Sequence, residues 1–266
     1  MITAYHRPQT LDEALALLTQ PNTLPLGGGT LLSQPTPFDS AQGRSVSVVD
    51  LQALGLDSLR VKGNDPSARS GQALEIGATC TLQALFEFEH CPDVLKTAIK
   101  LEAPINIRNM ATVAGTLVAS DGRSTFATML LAMDAKVTVV SDQKSVISAG
   151  EFLLTRPHKL ITEIAIPLNT KIAFEFVSRT PADKPIICAA LAQWNSGRTR
   201  LTLGGYGKSP MLAMDGTEAD GLDASINSAQ AAAQNAYHEA TDEWASAEYR
   251  MDVAATLAKR CLESLK

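Results

Sequence analysis

The 266-residue sequence has no run of about 18 apolar residues, the length a helix needs to cross a bilayer, so no transmembrane helix is expected. Its opening, Met1-Ile2-Thr3-Ala4-Tyr5-His6, lacks a charged segment followed by an apolar one. No secretory signal is therefore expected, and the cytoplasm is the default location. Cysteine is scarce and scattered. Cys80, Cys91, Cys188 and Cys261 form no C-x-x-C pair and read as partly buried thiols. An iron–sulfur cluster normally needs four thiolates at motif spacing, so none is expected on this chain. His6, His90, His158 and His238 show no H-E-x-x-H or similar ligand spacing, and no metal site is expected. No local Ser-His-Asp or Cys-His pattern points to a nucleophile, and no catalytic residue is assigned. Positive charge is not in surplus either. Lys plus Arg number 23 against 28 Asp plus Glu, a net charge of −5, which argues against nucleic acid as a partner.

What is present is enough for a sizeable core: 45% of residues are apolar and 19% charged. The length suits one large domain or two small ones. Thr10-Leu11-Asp12-Glu13 reads as a capping box ahead of a helix carrying Leu11, Ala14, Leu15 and Leu18. Short strands are expected at 23–26, 45–50, 59–61, 74–77, 136–141 and 161–166. Helices are expected at 82–90, 92–101 and 124–133, with proline-rich turns at Pro35 and Pro37 and a polar loop over 63–71. The stretch from Pro104 to Thr116 is polar, Gly-bearing and aperiodic, and reads as an ordered loop. After Pro167 three strands follow at 172–178, 186–194 and 199–204, the last two joined by an Asn195-Ser196-Gly197 turn. Two helices end the chain, at 225–240 and 246–265; Val253, Leu257 and Cys261 form one apolar stripe on the second. The class is α+β, with a boundary near Pro167.

Three segments carry candidate chemistry. Gly27-Gly28-Gly29-Thr30 follows a short strand; consecutive glycines let a backbone approach a phosphate, although a tight turn alone needs them too. The pattern is neither a G-x-G-x-x-G fingerprint nor a Walker A loop. Ile107 to Thr116 offers small residues, Gly115 and the hydroxyls of Thr112 and Thr116, with Arg108 able to pair with either a phosphate or a nearby carboxylate. Asp121-Gly122-Arg123-Ser124 precedes a helix; Asp121 either accepts from a sugar hydroxyl or belongs to a capping turn.

In order from end to end, these segments resemble the flavin-binding (medium) subunit of the molybdenum hydroxylases, the xanthine dehydrogenase and carbon monoxide dehydrogenase group. Tyr5 to Ala14 resembles a Y-x-x-P-x-S/T-L-x-E-A opening, Gly27 to Thr30 an A-G-G-T/H loop, and Ile107 to Gly115 an I-R-N-x-G-T-I-G-G-N/D signature. Leu130 to Ala135 is similar to L-L-A-L-D-A, and Arg179 to Asp183 to R-R-P-A-D. Leu203 to Gly207 is similar to A-L-G-G-V-G, and Ala245 to Arg250 to A-S-A-E-Y-R.

The resemblance implies a PCMH-type FAD-binding domain over 1–167, of two subdomains split near 54. It also implies a C-terminal domain over 168–266, a three-stranded antiparallel sheet with helices. FAD would lie between the subdomains. Its pyrophosphate would rest on Gly27, Gly28, Gly29 and Thr30 and on Thr112, Gly115 and Thr116; Asp121 would hold ribose or ribityl hydroxyls, and the Ile164 amide would sit near the flavin ring. The implied partners are a molybdopterin-binding large subunit and a 2Fe-2S small subunit in a hetero-oligomer, with electrons passed from the iron–sulfur clusters to an acceptor. The chain would be inactive alone.

Five positions depart from the family pattern. Ala114 stands for a glycine, Thr116 for Asn/Asp and Thr125 for an Asp; Phe174 and Phe176 stand for the Tyr and Lys of Y-x-K. The stretch 152–160 is also shorter than the family's loop. A Cβ at 114 would clash with a phosphate if φ were positive. The departures leave open a second reading, a flavin-free subunit that keeps the fold and only docks its partners.

Overall fold

The computed structural model describes residues 2–31, 45–63, 71–181, 183–217 and 222–265. The turns at Pro35 and Pro37 and most of the 63–71 loop lie outside the described residues.

The chain opens with β1 (Ile2–His6), α1 (Leu11–Leu18), β2 (Thr23–Leu26) and β3 (Val46–Asp50). The strands form a parallel sheet in the order β1-β3-β2. Thr10 caps α1 by accepting from the Glu13 amide at 3.3 Å. The Glu13 carboxylate reaches back one residue further than a capping box requires, to the Gln9 amide at 3.0 Å. The apolar face of α1 packs on Val49, Leu51 and Leu160.

A five-stranded sheet follows, in the order β4-β5-β8-β6-β7, all pairs antiparallel. It comprises β4 (Leu59–Lys62), β5 (Ala73–Gly77), β6 (Lys136–Val140), β7 (Lys144–Ser148) and β8 (Leu160–Pro167). Around it lie α2 (Leu82–Glu87), α3 (Asp93–Glu102), α4 (Ile105–Arg108), α5 (Val113–Ala119), α6 (Thr125–Ala132) and α7 (Ala149–Thr155). Every residue of α6 is buried, so its uniformly apolar sequence fits a helix covered on all sides. Ser124 caps it, accepting from the Ala127 amide at 3.1 Å.

Pro104–Thr116, expected as a loop, holds α4 and the start of α5 instead. Helices this short show little periodicity, and Thr, Val and Gly are weak helix formers. Tertiary burial of Val113, Ala114 and Leu117 decides the conformation.

The chain leaves the five-stranded sheet at Pro167 and enters the next sheet at Thr170. That sheet has four antiparallel strands, where three were expected: β9 (Thr170–Val177), β10 (Ile187–Trp194), β11 (Arg198–Gly204) and β12 (Met211–Thr217). The added strand, β12, lacks β-branched residues except its terminal Thr217 and is half exposed at the sheet edge, so its strand signal is faint. Helices α8 (Leu222–Ala236) and α9 (Ala247–Ser264) cover the sheet. Leu257 and Cys261 of the α9 stripe are buried against β9 and β10, and Val253 packs at their margin.

Candidate functional site

The glycine run leaves β2 at the open end of the parallel sheet and packs against the turn before α5. A Cβ on Gly27 would come within 2.7 Å of Thr112 Oγ1, and one on Gly28 would overlap the Met110 carbonyl oxygen. Gly29 has φ +68°, which an L side chain adopts only with strain. The amides of Gly27, Gly28 and Thr30 have no acceptor among the described residues. Adjacent unpaired backbone donors of this kind suit an anion.

The facing segment is different. Thr112 caps α5, and its hydroxyl accepts from the Gly115 amide at 3.1 Å. Its carbonyl accepts from both the amide and the hydroxyl of Thr116, each at 2.8 Å. The Val113 amide donates to Cys80 O at 2.8 Å and that of Ala114 to Ala78 O at 3.2 Å. The first-turn donors of α5 are therefore taken within the chain. The proton of the buried Thr112 hydroxyl has no acceptor among the described residues.

A third wall joins the C-terminal sheet. Asp121 is exposed and accepts from the Arg123 amide at 2.9 Å, an Asx turn. Gly122 donates to Gly207 O at 2.9 Å and accepts from the Gly205 amide at 2.6 Å; a Cβ on Gly122 would overlap Tyr206 O. Gly205 is held in turn by fully buried Arg250, which donates to Gly205 O at 3.0 Å, Ile186 O at 2.7 Å and Asp242 at 2.7 Å. Burial pushes the Asp242 pKa up, but Arg250 and the amides of Trp244 and Ala245 hold it below the ordinary carboxylate value. Beside this wall the buried Glu102 carboxylate accepts from Ser124 Oγ at 2.8 Å, the Phe126 amide at 3.0 Å and Lys184 Nζ at 2.9 Å.

These walls enclose a cleft of about 640 Å³. Gly27, Gly28, Gly29, Thr30, Thr112, Gly115, Thr116 and Asp121 all line it. Ile164 does not. It is fully buried in the central strand β8, opposite Ile76 on one side and Val137 on the other. Two lining residues the sequence reading passed over are Glu102 and Lys184. Glu102 ends α3 and Lys184 lies in the β9–β10 connection, and no motif marks either.

The departures fall unevenly on this geometry. Ala114 lies within α5 and packs in the core; among the described residues the non-glycine residues with positive φ are Asn22, Asp134 and Arg156, so its Cβ meets no backbone strain. Thr125 is buried and donates to Ala98 O at 2.7 Å. Phe174 and Phe176 stack on each other at 5.8 Å along β9, and neither lines the cleft. Of the five, Thr116 alone lines it.

A second cleft of about 690 Å³ shares Leu24, Pro25 and Val118 with the first, so the two adjoin. Leu15, Leu18, Phe152 and His158 line it, and Arg156 stands at the junction. Arg156 donates to the carbonyls of Leu117, Val118 and Ser120 at 2.9–3.1 Å, closing the C-terminal end of α5, and burial lowers its pKa. All four cysteines are free and buried, and burial pushes each thiol up to about 12, which excludes a resting thiolate. Among the described residues no group of three His, Cys, Asp or Glu could hold a metal ion, and no helix is long and apolar enough to cross a membrane.

Comparison with known proteins adds four findings. Residues 1–169 match a family model described as the FAD binding domain in molybdopterin dehydrogenase. The Escherichia coli protein YgfM is 27% identical over 261 residues, covering 97% of this chain and 94% of that protein. The carbon monoxide dehydrogenase medium chain of Afipia carboxidovorans is 27% identical over 289 residues, covering 98% and 96%. Carbon monoxide dehydrogenase from Hydrogenophaga pseudoflava, solved without the Mo-pyranopterin moiety, contains a chain that superposes with a TM-score of 0.82 at 21% identity. The match covers 100% of this chain and 97% of that one, so the shared fold includes the four-stranded sheet.

Proposed function

The chain belongs to the family of FAD binding domains of molybdopterin dehydrogenases, and from that premise we propose that it is the FAD-binding, electron-transferring subunit of a molybdenum hydroxylase-type complex. The observation that carries the proposal is the meeting of two Gly/Thr segments across one cleft, with the amides of Gly27, Gly28 and Thr30 lacking an acceptor among the described residues. That donor set fits a pyrophosphate, and the cleft with its adjoining neighbour offers room for the rest of a dinucleotide.

When bound, FAD supplies the redox chemistry, and the protein supplies binding, orientation and electrostatics. Gly27, Gly28, Gly29 and Thr30 hold the pyrophosphate through backbone N–H groups. Thr112 adds its hydroxyl proton. Gly115 and Thr116 shape the opposite wall through packing, because their donors are already used. Asp121 keeps one carboxylate oxygen for a ribose or ribityl hydroxyl while the other fixes its turn.

The relatives support a subunit role: the Afipia protein is by name the medium chain of a dehydrogenase. In the complex proposed here, a 2Fe-2S small subunit delivers electrons and a molybdopterin-binding large subunit carries the substrate chemistry. The isolated chain then has no turnover of its own.

The test is the visible spectrum of the purified, folded chain, with FAD measured after acid release and electron uptake measured after addition of the reduced iron–sulfur partner. Stoichiometric FAD that is reduced by that partner supports the proposal. A colourless folded chain that takes up no added FAD would favour the flavin-free docking subunit.

A further inference from the structure

Backbone and hydroxyl groups make up much of the cleft wall, but its end beside the C-terminal sheet carries a charge pair. Lys184 is the single cation among the described residues that line the cleft; Glu102 and Asp121 are the anions. We propose that Lys184, positioned by Glu102, is the cation that binds FAD in this cleft. Positions 125 and 176, which carry charge in the family pattern, are Thr125 and Phe176 here and do not line the cleft. The inference rests on FAD being the occupant.

The hydrogen bonds divide the roles. The Glu102 side chain is only 7% exposed. Its Oε2 is engaged by Ser124 Oγ, the Phe126 amide and Thr125 Oγ1 at 2.8, 3.0 and 3.3 Å. Its Oε1 accepts from Lys184 Nζ at 2.9 Å. A carboxylate tied at the start of α6 cannot swing toward a ligand; it is an anchor.

Lys184 is the free end of the pair. Its side chain is 40% exposed, and Glu102 is its one partner among the described residues. An ammonium has three donors, so two remain for acceptor oxygens of a ligand. The main chain of Lys184 is fixed as well: its carbonyl accepts from Arg123 Nη2 at 3.0 Å, and the Arg123 guanidinium lies 4.2 Å from the Trp244 ring centre. Without Lys184 the cleft would face an anionic dinucleotide with two carboxylates and no cation, which Coulomb repulsion disfavours.

The experiment measures the FAD dissociation constant of the flavin-free full chain, by flavin fluorescence, for wild type, Lys184→Met, Lys184→Arg, Glu102→Gln and the Glu102→Gln/Lys184→Met double variant. Circular dichroism reports that each is folded; Lys184→Met changes a half-exposed side chain and keeps its stem. Lys184→Met is expected to weaken FAD binding about tenfold, the size of one charge-assisted hydrogen bond, and Lys184→Arg to restore most of it. Glu102→Gln is expected to weaken binding severalfold when Lys184 is present and to add nothing when it is absent. Unchanged FAD affinity in Lys184→Met overturns the inference and leaves the FAD reading intact. An equal effect of Glu102→Gln in both backgrounds also overturns it, because Glu102 then acts only through the start of α6. A folded wild-type chain that binds no FAD overturns the underlying reading and the inference with it.

Discussion

The two segments that face each other across the cleft use the same residue types for opposite ends. In Gly27–Thr30 the amides of Gly27, Gly28 and Thr30 have no acceptor among the described residues. Val113–Thr116 directs every amide inward, to Cys80, Ala78 and Thr112. One segment is a ligand surface; the other is a short helix whose cap shapes that surface. Glycine serves chain packing in both. Gly28 lies on the Met110 carbonyl, and a Cβ on Gly115 would sit 2.8 Å from Thr112 Oγ1. Composition alone therefore does not separate a phosphate loop from a helix start. The hydrogen-bond partners do.

The comparison holds only while the third wall stands, so the largest effect is expected where that wall is braced. Arg250→Met leaves Ile186 O and Gly205 O without their buried donor and Asp242 without its cation, at a cost of about 3 kcal/mol in denaturant unfolding. A fall below about 1 kcal/mol would mean that the turn at Gly205 holds itself. The same pair sets a pH dependence. The folded-state pKa of Asp242 is depressed, so its contribution is present above the ordinary carboxylate value and is lost as pH falls through the lower, folded value. Acid titration should show a shallower loss of stability in Asp242→Asn than in wild type, the remainder coming from Glu75, Asp134 and Asp215, which are also held low.

Next in size is Gly28→Val, which pits a branched Cβ against backbone that cannot yield cheaply. It is expected to cost about 2 kcal/mol of stability and to abolish FAD binding by parting the two segments. Gly29→Ala is the contrast. A Cβ there meets only Leu26 at 3.3 Å, so the cost is the strain of φ +68°, about 1 kcal/mol. If the two variants lose stability equally, the packing account of Gly28 is wrong.

Much of this was legible from residue order, and the exceptions share a cause. Strong local signals were readable: Thr10 before α1, Ser124 before α6, the Val-rich β3 and β6, and the turn at Gly197. The seven Gly and Thr residues singled out from the sequence, with Asp121, line one cleft. What escaped depends on distant partners. Helix α5 is held by contacts with Ala78 and Cys80, some thirty residues earlier, which its own weak formers do not announce. Strand β12 exists because β11 has an edge to fill. Glu102 and Lys184 meet across 82 positions of sequence, each ordinary in its own segment. Position in a strand does not reveal whether both neighbouring strands are present; Ile164 has both and lies outside the cleft lining.

The last two substitutions test the capped helix against itself. Thr112→Val removes the acceptor of the Gly115 amide and the hydroxyl proton that has no acceptor among the described residues. It is expected to cost about 1 kcal/mol of stability, the usual loss of an N-cap, and to weaken FAD binding as well, whereas Thr112→Ser retains both. Thr116→Val should do least. Its hydroxyl donates to the Thr112 carbonyl one turn back, a bond that adds little to a helix whose amide already uses that oxygen. The expected change is within about 0.5 kcal/mol by thermal unfolding, with FAD affinity the same within about twofold. The family pattern would assign position 116 a polar contact with the cofactor; the geometry assigns it to the helix. Calorimetric titration of FAD into both variants separates the two. An affinity loss in Thr116→Val as large as in Thr112→Val would mean that the Thr116 hydroxyl leaves its carbonyl for the ligand, and that the two segments differ less than their hydrogen bonds indicate.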